Sequence, residues 1–309
     1  MTIAIIGVGA IGGVAAALLH TTRQHELILC TRRPLPELIV KTGEGSITVK
    51  ATNLIDPAAA APTAMLAAET PTAKPGAETP IDWVLVATKV YDAKSAAAWF
   101  PRLCQPHTPV AILQNGVEHI ENFSPFLRPE QILPVIIDTP AERQPDNTII
   151  QRGPVRMQVK NNPLGVAFAA LFAGAKTEVV LEEDFLSAAW KKLCLNAAGA
   201  VGALLGKPMG VLHDEGLGQI VLDIIAECMA VGRAEGARFD ADLGPQILAR
   251  FRSAPPDSIN SITADRLAGR PMEIDARNGV IVRKGRLHGI ETPVNKMIVA
   301  LMNGVTSRG

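Results

Sequence analysis

The chain has 309 residues, about twice the usual single-domain length, which predicts two domains. Thirty basic residues balance thirty acidic ones, so no global field exists for nucleic acid or an anionic membrane, and a small neutral or singly charged ligand suits the chain better. Cys30, Cys104, Cys194 and Cys228 lack metal-site spacing and read as reduced core thiols. With no signal peptide in "MTIAIIG" and no membrane-length apolar run, a soluble cytoplasmic protein is expected.

The stretch "TIAIIGVGAIGGVAAALLH" reads as a buried strand, Thr2 to Ile6, a glycine turn and a helix. The turn, Gly7-Val8-Gly9-Ala10-Ile11-Gly12, has G-x-G-x-x-G spacing. Its first glycine serves the tight turn, its second the approach of a pyrophosphate, and its third close helix–strand packing, with phosphates on the helix N-terminus. The second strand, "ELILC", ends at Thr31-Arg32-Arg33. An NAD site places a carboxylate there for the ribose hydroxyls. Guanidinium groups pair instead with a 2′-phosphate, which favours NADP(H), the alternative being two solvated surface arginines.

"SITVK", "DWVLVATK", "PVAILQNG" and "QILPVIID" follow as strands alternating with helical stretches such as Ala93 to Leu103, the pattern of a doubly wound sheet. The Ala-, Pro- and Thr-rich segment 56–80 reads as a surface insertion or extended loop. Two strand ends, Thr88-Lys89 and Gln114-Asn115-Gly116, lie where such sheets bind ligands and carry groups suited to ribose, nicotinamide and substrate oxygens.

After about Glu183 the apolar spacing turns helical, over Ala188–Leu205, Leu217–Gly236 and Asp265 to about Leu287. The expectation is a Rossmann-type NADP-binding domain, 1–183, an all-helical substrate domain, 184–309, and an active site in the cleft between them. A proline-broken loop, "FRSAPPDSINS", leads into the helix expected to carry Glu273. Lys192 and Asn196, four residues apart, share a helix face, while Lys191 points about a hundred degrees away and is expected to be solvated. Lys192 is the candidate for the cleft, and a snorkelling lysine with a wet ammonium is the bland alternative.

"GVGAIGG", "ATK" at 87–89, "QNG" at 114–116, "WKKLCLN" at 190–196 and "EIDARNG…HGIETPVN" at 273–295 together make the chain resemble the ketopantoate reductase (2-dehydropantoate 2-reductase) family nearly end to end. The resemblance implies NADPH-dependent reduction of a 2-oxo acid, ketopantoate foremost. It makes Lys192 the catalytic lysine and Asn196 a substrate-binding asparagine. Asn115 then meets both nicotinamide and substrate, Lys89 belongs to the cofactor site, and Arg32 grips the 2′-phosphate. Ser261 contacts the substrate carboxylate, Glu273 lies at the nicotinamide side of the cleft, and Glu142 aligns with a cofactor-contacting loop position. The chemistry agrees: hydride delivered to a ketone carbon leaves an alkoxide, and a lysine ammonium both polarises the carbonyl and supplies the proton. Burial would lower its pKa and a nearby Glu273 would oppose that shift.

Three departures bear on the substrate. Ala200, Ser258 and Gly210 stand where the family has asparagines. Losing a partner for a buried polar group costs about 1–3 kcal/mol, so the same hydride transfer on a less polar ketone or 2-oxo acid is a second reading. A catalytically silent NADP-binding sensor is a third. The six histidines show no ligand spacing, and no metal site is expected. A monomer and a homodimer are both compatible with the apolar helical half.

Overall fold

The computed structural model describes residues 1–55 and 80–306. The insertion read at 56–80 therefore lies, apart from Pro80, outside the described residues. Two compact units emerge: Met1–Gln114 with His119–Glu183, and Asn115–Glu118 with the chain from Asp184 onward.

In the first unit β1 (Thr2–Ile6) runs into α1 (Ala10–Thr22), β2 (Glu26–Thr31), β3 (Leu38–Thr42), β4 (Gly45–Val49) and β5 (Thr52–Ile55). There follow β6 (Trp83–Val86), the short helices α2 (Ala93–Ala97) and α3 (Phe100–Leu103), β7 (Val110–Ile112) and α4 (His119–Phe123). The unit ends with β8 (Ile132–Pro134), β9 (Ile136–Asp138), β10 (Ala141–Arg143), β11 (Ile149–Gln151), β12 (Arg156–Lys160), α5 (Pro163–Leu171) and β13 (Glu178–Glu182). Six strands form the expected parallel sheet, ordered β5-β2-β1-β6-β7-β8. Every residue of β1, β6 and β7 is buried, as parallel strands covered on both faces require. Strand order reverses at β1, with β2 on one side and β6 on the other, so the crevice beyond their carboxyl ends is the natural ligand position.

Two smaller sheets complete the unit, and they correct the strand reading. "SITVK" belongs not to the parallel sheet but to β4, antiparallel to β3 in a sheet ordered β10-β11-β3-β4. The cause is the turn Thr42-Gly43-Glu44-Gly45, which folds the two strands into a hairpin before a crossover helix can form. "QILPVIID" is likewise shared: Ile132–Pro134 joins the parallel sheet, whereas Ile136–Asp138 pairs with β12 in a third sheet, β13-β12-β9. Residues Gly12 through Leu19 of α1 are all buried, and its small residues let the β10-β11-β3-β4 sheet approach: a Cβ on Gly13 would lie 2.0 Å from Ile149 Cδ1.

The second unit is helical, as expected: α6 (Phe185–Ala198), α7 (Ala200–Leu205), α8 (Glu215–Ala234), α9 (Leu243–Ser253), α10 (Ser261–Leu267), α11 (Val280–Leu287) and α12 (Pro293–Thr306). Asp184 caps α6 by accepting from Ser187 N, and Asp214 caps α8 by accepting from Leu217 N. Trp190, Leu193, Ile224, Ile225 and Cys228 are buried in one apolar core. The single helix expected over Asp265–Leu287 is corrected. It breaks after α10, where Gly269 turns left-handed (φ 64°) and Pro271 follows, and resumes through a π-helical stretch, Asp275–Gly279, that leads into α11. Glu273 therefore sits just ahead of the resumed helix rather than inside a continuous one.

Candidate active site

The glycine turn after β1 has one closed side and one open one. Gly7 holds φ at 90°, and a Cβ there would lie 2.6 Å from Thr88 Cγ2. At Gly12 a Cβ would meet Gly7 O at 2.1 Å, so helix and strand approach only because both residues are glycine. Gly9 differs: among the described residues, its own chain neighbours aside, no atom lies within 4 Å of the position its Cβ would take. This is the side from which a phosphate can come against the backbone. The first-turn N–H groups of α1 have no intrahelical partner and that turn holds no acidic residue, so the turn fits a dinucleotide's pyrophosphate.

Val8, Ala10 and Ile11 complete the turn, and a residue the sequence reading missed holds it. Arg143 Nη1 donates to Val8 O at 2.9 Å, and Nη2 donates to Asn147 Oδ1 at 2.8 Å. Burial lowers the Arg143 pKa from its ordinary value. Neighbouring strand residues point to opposite faces, and Glu142 accordingly turns to Arg152, with Nη2–Oε2 at 3.2 Å. Of that hairpin, Arg143 reaches the turn. Nothing in local spacing signals a contact across 135 residues; only the packing of β10 beside α1 does.

Arg32 ends at the tip of β2, its side chain 69% exposed and its Nη2 3.5 Å from Asp92 Oδ2. An exposed pair of this length contributes little, so the guanidinium stays open to an anionic ligand. Arg33 is exposed beside it. At the tips of β6 and β7, Gln114 Nε2 donates to Thr88 Oγ1 (3.0 Å) and to Lys89 O (3.2 Å). Gln114 thus fixes the backbone that presents half-buried Lys89.

In the second unit the adjacent lysines diverge. Lys191, expected to be solvated, pairs with Asp240 at the surface, Nζ–Oδ2 3.4 Å. Lys192 is half-buried one helical turn before Asn196. Asn196 Nδ2 donates to Asn115 Oδ1 (3.3 Å), and Asn115 Nδ2 donates to Oε2 of the buried Glu273 (3.2 Å). Arg277, again missed in the sequence, donates from Nη2 to Ser261 Oγ (2.9 Å) and from Nη1 to Asn196 O (3.5 Å). Asn115, Asn196, Ser261, Glu273 and Arg277 thereby form one connected polar set, assembled from four separated segments.

The departures have local causes. Ala200 is fully buried in the helical core. A Cβ at Gly210 would lie 2.7 Å from Pro256 O, and Met209 N donates to Ser258 O at 2.8 Å, so these two segments are stitched backbone to backbone with no room for a larger residue at 210. Asn260 is the N-cap of α10, accepting from Thr263 N and donating to Gly199 O. Among the described residues no helix is long and apolar enough to cross a membrane.

Two family models match the chain: "Ketopantoate reductase PanE/ApbA" over residues 3–163 and "Ketopantoate reductase PanE/ApbA C terminal" over residues 184–306. A 2-dehydropantoate 2-reductase of Caulobacter vibrioides is 46% identical, covering 98% of each chain. A Mycobacterium tuberculosis 2-dehydropantoate 2-reductase is 36% identical over 97% of this chain and 96% of the relative. The crystal structure of a PanE/ApbA family ketopantoate reductase from Ralstonia eutropha superposes with a TM-score of 0.84 at 29% identity, covering 99% of this chain and 98% of the other.

Proposed function

This chain belongs to the ketopantoate reductase family of oxidoreductases, and from that premise we propose that it reduces a 2-oxo acid, 2-dehydropantoate foremost, to the 2-hydroxy acid with NADPH in the cytoplasm. When bound, the nicotinamide supplies the hydride. The protein's part is to hold, orient and protonate. Gly7 to Gly12 and the N-terminus of α1 receive the pyrophosphate, Arg32 the 2′-phosphate, and Lys89 the neighbouring cofactor oxygens. Asn115 orients nicotinamide and substrate together, and its own amide is fixed between Asn196 and Glu273. The Lys192 ammonium donates a hydrogen bond to the keto oxygen and gives up its proton as charge develops there.

The observation that supports this reading best is the hydrogen-bonded run Asn196–Asn115–Glu273 with Lys192 one turn away. Such a run pre-organises polar groups around a small oxygen-rich ligand and has no use in a purely apolar core. A second reading, the same hydride transfer on a less polar ketone or 2-oxo acid, is favoured by Ala200 and by the closed backbone at Gly210.

NADPH and NADH oxidation, followed side by side over a panel of 2-oxo acids, tests the proposal. Turnover of 2-dehydropantoate with NADPH preferred is the expected result. No turnover of it at millimolar levels beside turnover of an apolar 2-oxo acid selects the second reading. Nucleotide binding without any turnover, indifferent to Lys192→Ala, leaves a sensor.

A further inference from the structure

We infer that Arg277 makes this site select a carboxylate: its guanidinium orients the Ser261 hydroxyl toward the carboxylate of the 2-oxo acid and supplies the positive charge that holds it. The assignment rests on the reading of function above and makes Arg277 a positioning residue acting through Ser261.

Arg277 is 2% exposed, and arginine is rarely buried so completely without a charged partner. Among the described residues its hydrogen bonds run to neutral oxygens, Ser261 Oγ and the Asn196 carbonyl, and its Nε has no hydrogen-bond partner. Glu273 and Asp265 lie within electrostatic reach. Asn115 donates to the first, and Arg270 Nε holds the second at 2.8 Å. Glu273 and Asp265 offset part of the guanidinium's charge, but its hydrogen bonds run to neutral acceptors, so positive potential remains at the end that meets Ser261.

The serine completes the device. Its hydroxyl has one proton, and because the oxygen already accepts from Arg277, that proton is left to donate elsewhere. Ser261 is exposed where Arg277 is buried, so of the bonded pair it is the serine that a ligand can reach. The carboxylate and keto carbons of a 2-oxo acid are adjacent, so their receptors must be neighbours. Arg277 meets this condition by touching Asn196, one turn after Lys192. Ala200 and Gly210 offer no side-chain amide to share the task, so fewer polar groups stand beside the Arg277–Ser261 pair. Arg277 also lies in the π-helical stretch, a distortion that clusters at functional sites.

The test compares the 2-oxo acid that wild type turns over best with its methyl ester, in wild type, Arg277→Gln, Arg277→Lys and Ser261→Ala. For the acid, R277Q is expected to raise KM roughly 10- to 100-fold, with kcat within a few-fold and the ester's KM little changed. R277K should recover part of the loss. S261A leaves the guanidinium in place and is expected to shift the acid's KM in the same direction; if R277Q fails to fold, R277K decides, and an acid KM in R277K equal to that of wild type overturns the inference. NADPH affinity, read by fluorescence titration, should be equal in all four proteins. An unchanged acid-to-ester preference in R277Q overturns the inference whatever S261A does, as does an equal loss for both substrates with weakened NADPH binding. If wild type reduces no 2-oxo acid, the functional reading falls separately, and calorimetric titration with oxamate still decides the carboxylate site. Binding to wild type that is weakened in both R277Q and S261A keeps it; equal binding in wild type and R277Q, or none in wild type, removes it.

Discussion

Replacing Gly9 with alanine separates ligand approach from folding. Gly9 has φ −82° and ψ −160°, a conformation open to any L-residue, and among the described residues its Cβ position has no neighbour within 4 Å beyond the adjoining chain. The change therefore costs the fold at most about 1 kcal/mol, the difference between glycine and alanine at a helix N-cap, or about 2–4 °C in Tm for a domain of this size. The same methyl group stands where a phosphate would press against the turn. Forfeiting one backbone hydrogen bond to a charged phosphate costs about 1.5–3 kcal/mol, so the NADPH dissociation constant should rise roughly 10- to 150-fold. Gly12→Ala is the contrasting case. Its Cβ would lie 2.1 Å from Gly7 O, far inside any tolerated contact, and overpacking of this kind costs about 1–3 kcal/mol of stability as well as binding. Fluorescence titration with NADPH, paired with thermal denaturation, reads both quantities. Wild-type NADPH affinity in G9A, or a loss of Tm in G9A equal to that in G12A, would refute the assignment of the open side to the cofactor.

Other outcomes follow from the same geometry. Lys192→Ala should lower kcat roughly 100- to 10,000-fold while leaving NADPH affinity within about twofold; steady-state kinetics beside a binding titration checks this, and near-normal turnover removes Lys192 as proton donor. Burial alone would raise the Glu235 pKa, but hydrogen bonds from Lys284 (2.7 Å) and His288 (2.5 Å) outweigh it and hold the carboxyl below its ordinary 4.5. A depressed carboxyl stabilises the fold above its unfolded-state value, and that contribution disappears as pH falls through the folded-state value. Glu235→Gln should thus cost about 2 kcal/mol at pH 7 and progressively less below about pH 4.5; urea melts across that range are the check, and a pH-independent difference would rule out the ionic origin. Burial pushes the Cys30 thiol up to about 12 against a weaker opposing pull from Arg102, and burial pushes Cys104 up to about 12 as well, while Cys228 is raised by burial and by its neighbour Cys194. At pH 8 the native protein should react slowly with a disulfide reagent and release four thiol equivalents in guanidinium; rapid native labelling of Cys30 or Cys228 would contradict the packing.

What could be read in advance was what is local in the chain. The run from Thr2 to Leu19 carries its strand, turn and helix within twenty residues, and the i, i+4 relation of Lys192 and Asn196 follows from helix geometry alone. "SITVK" had a sound strand pattern, but the pattern does not say which sheet receives it; that depended on the Gly43–Gly45 turn. The helix over Asp265–Leu287 was overrun because apolar spacing continues past Gly269 and Pro271, which carried the break. Arg143 and Arg277 escaped for a different reason. Each is known by its partners, Val8 at a distance of 135 residues and Ser261 across the break between α10 and the π-helical stretch, and neither separation is a helical or strand spacing that would signal the pair.

The π-helical stretch Asp275–Gly279 also bears on how this chain can tolerate change in length. A single π turn holds one residue more than the α turn it replaces, so the helix contains a slack residue in phase with neither neighbour. Deleting one residue there would let an ordinary α-helix close without altering the register of α11 or α12. It would also swing the 277 position around the helix axis, away from Ser261. At this point a one-residue deletion leaves the downstream register intact yet rewrites one polar contact.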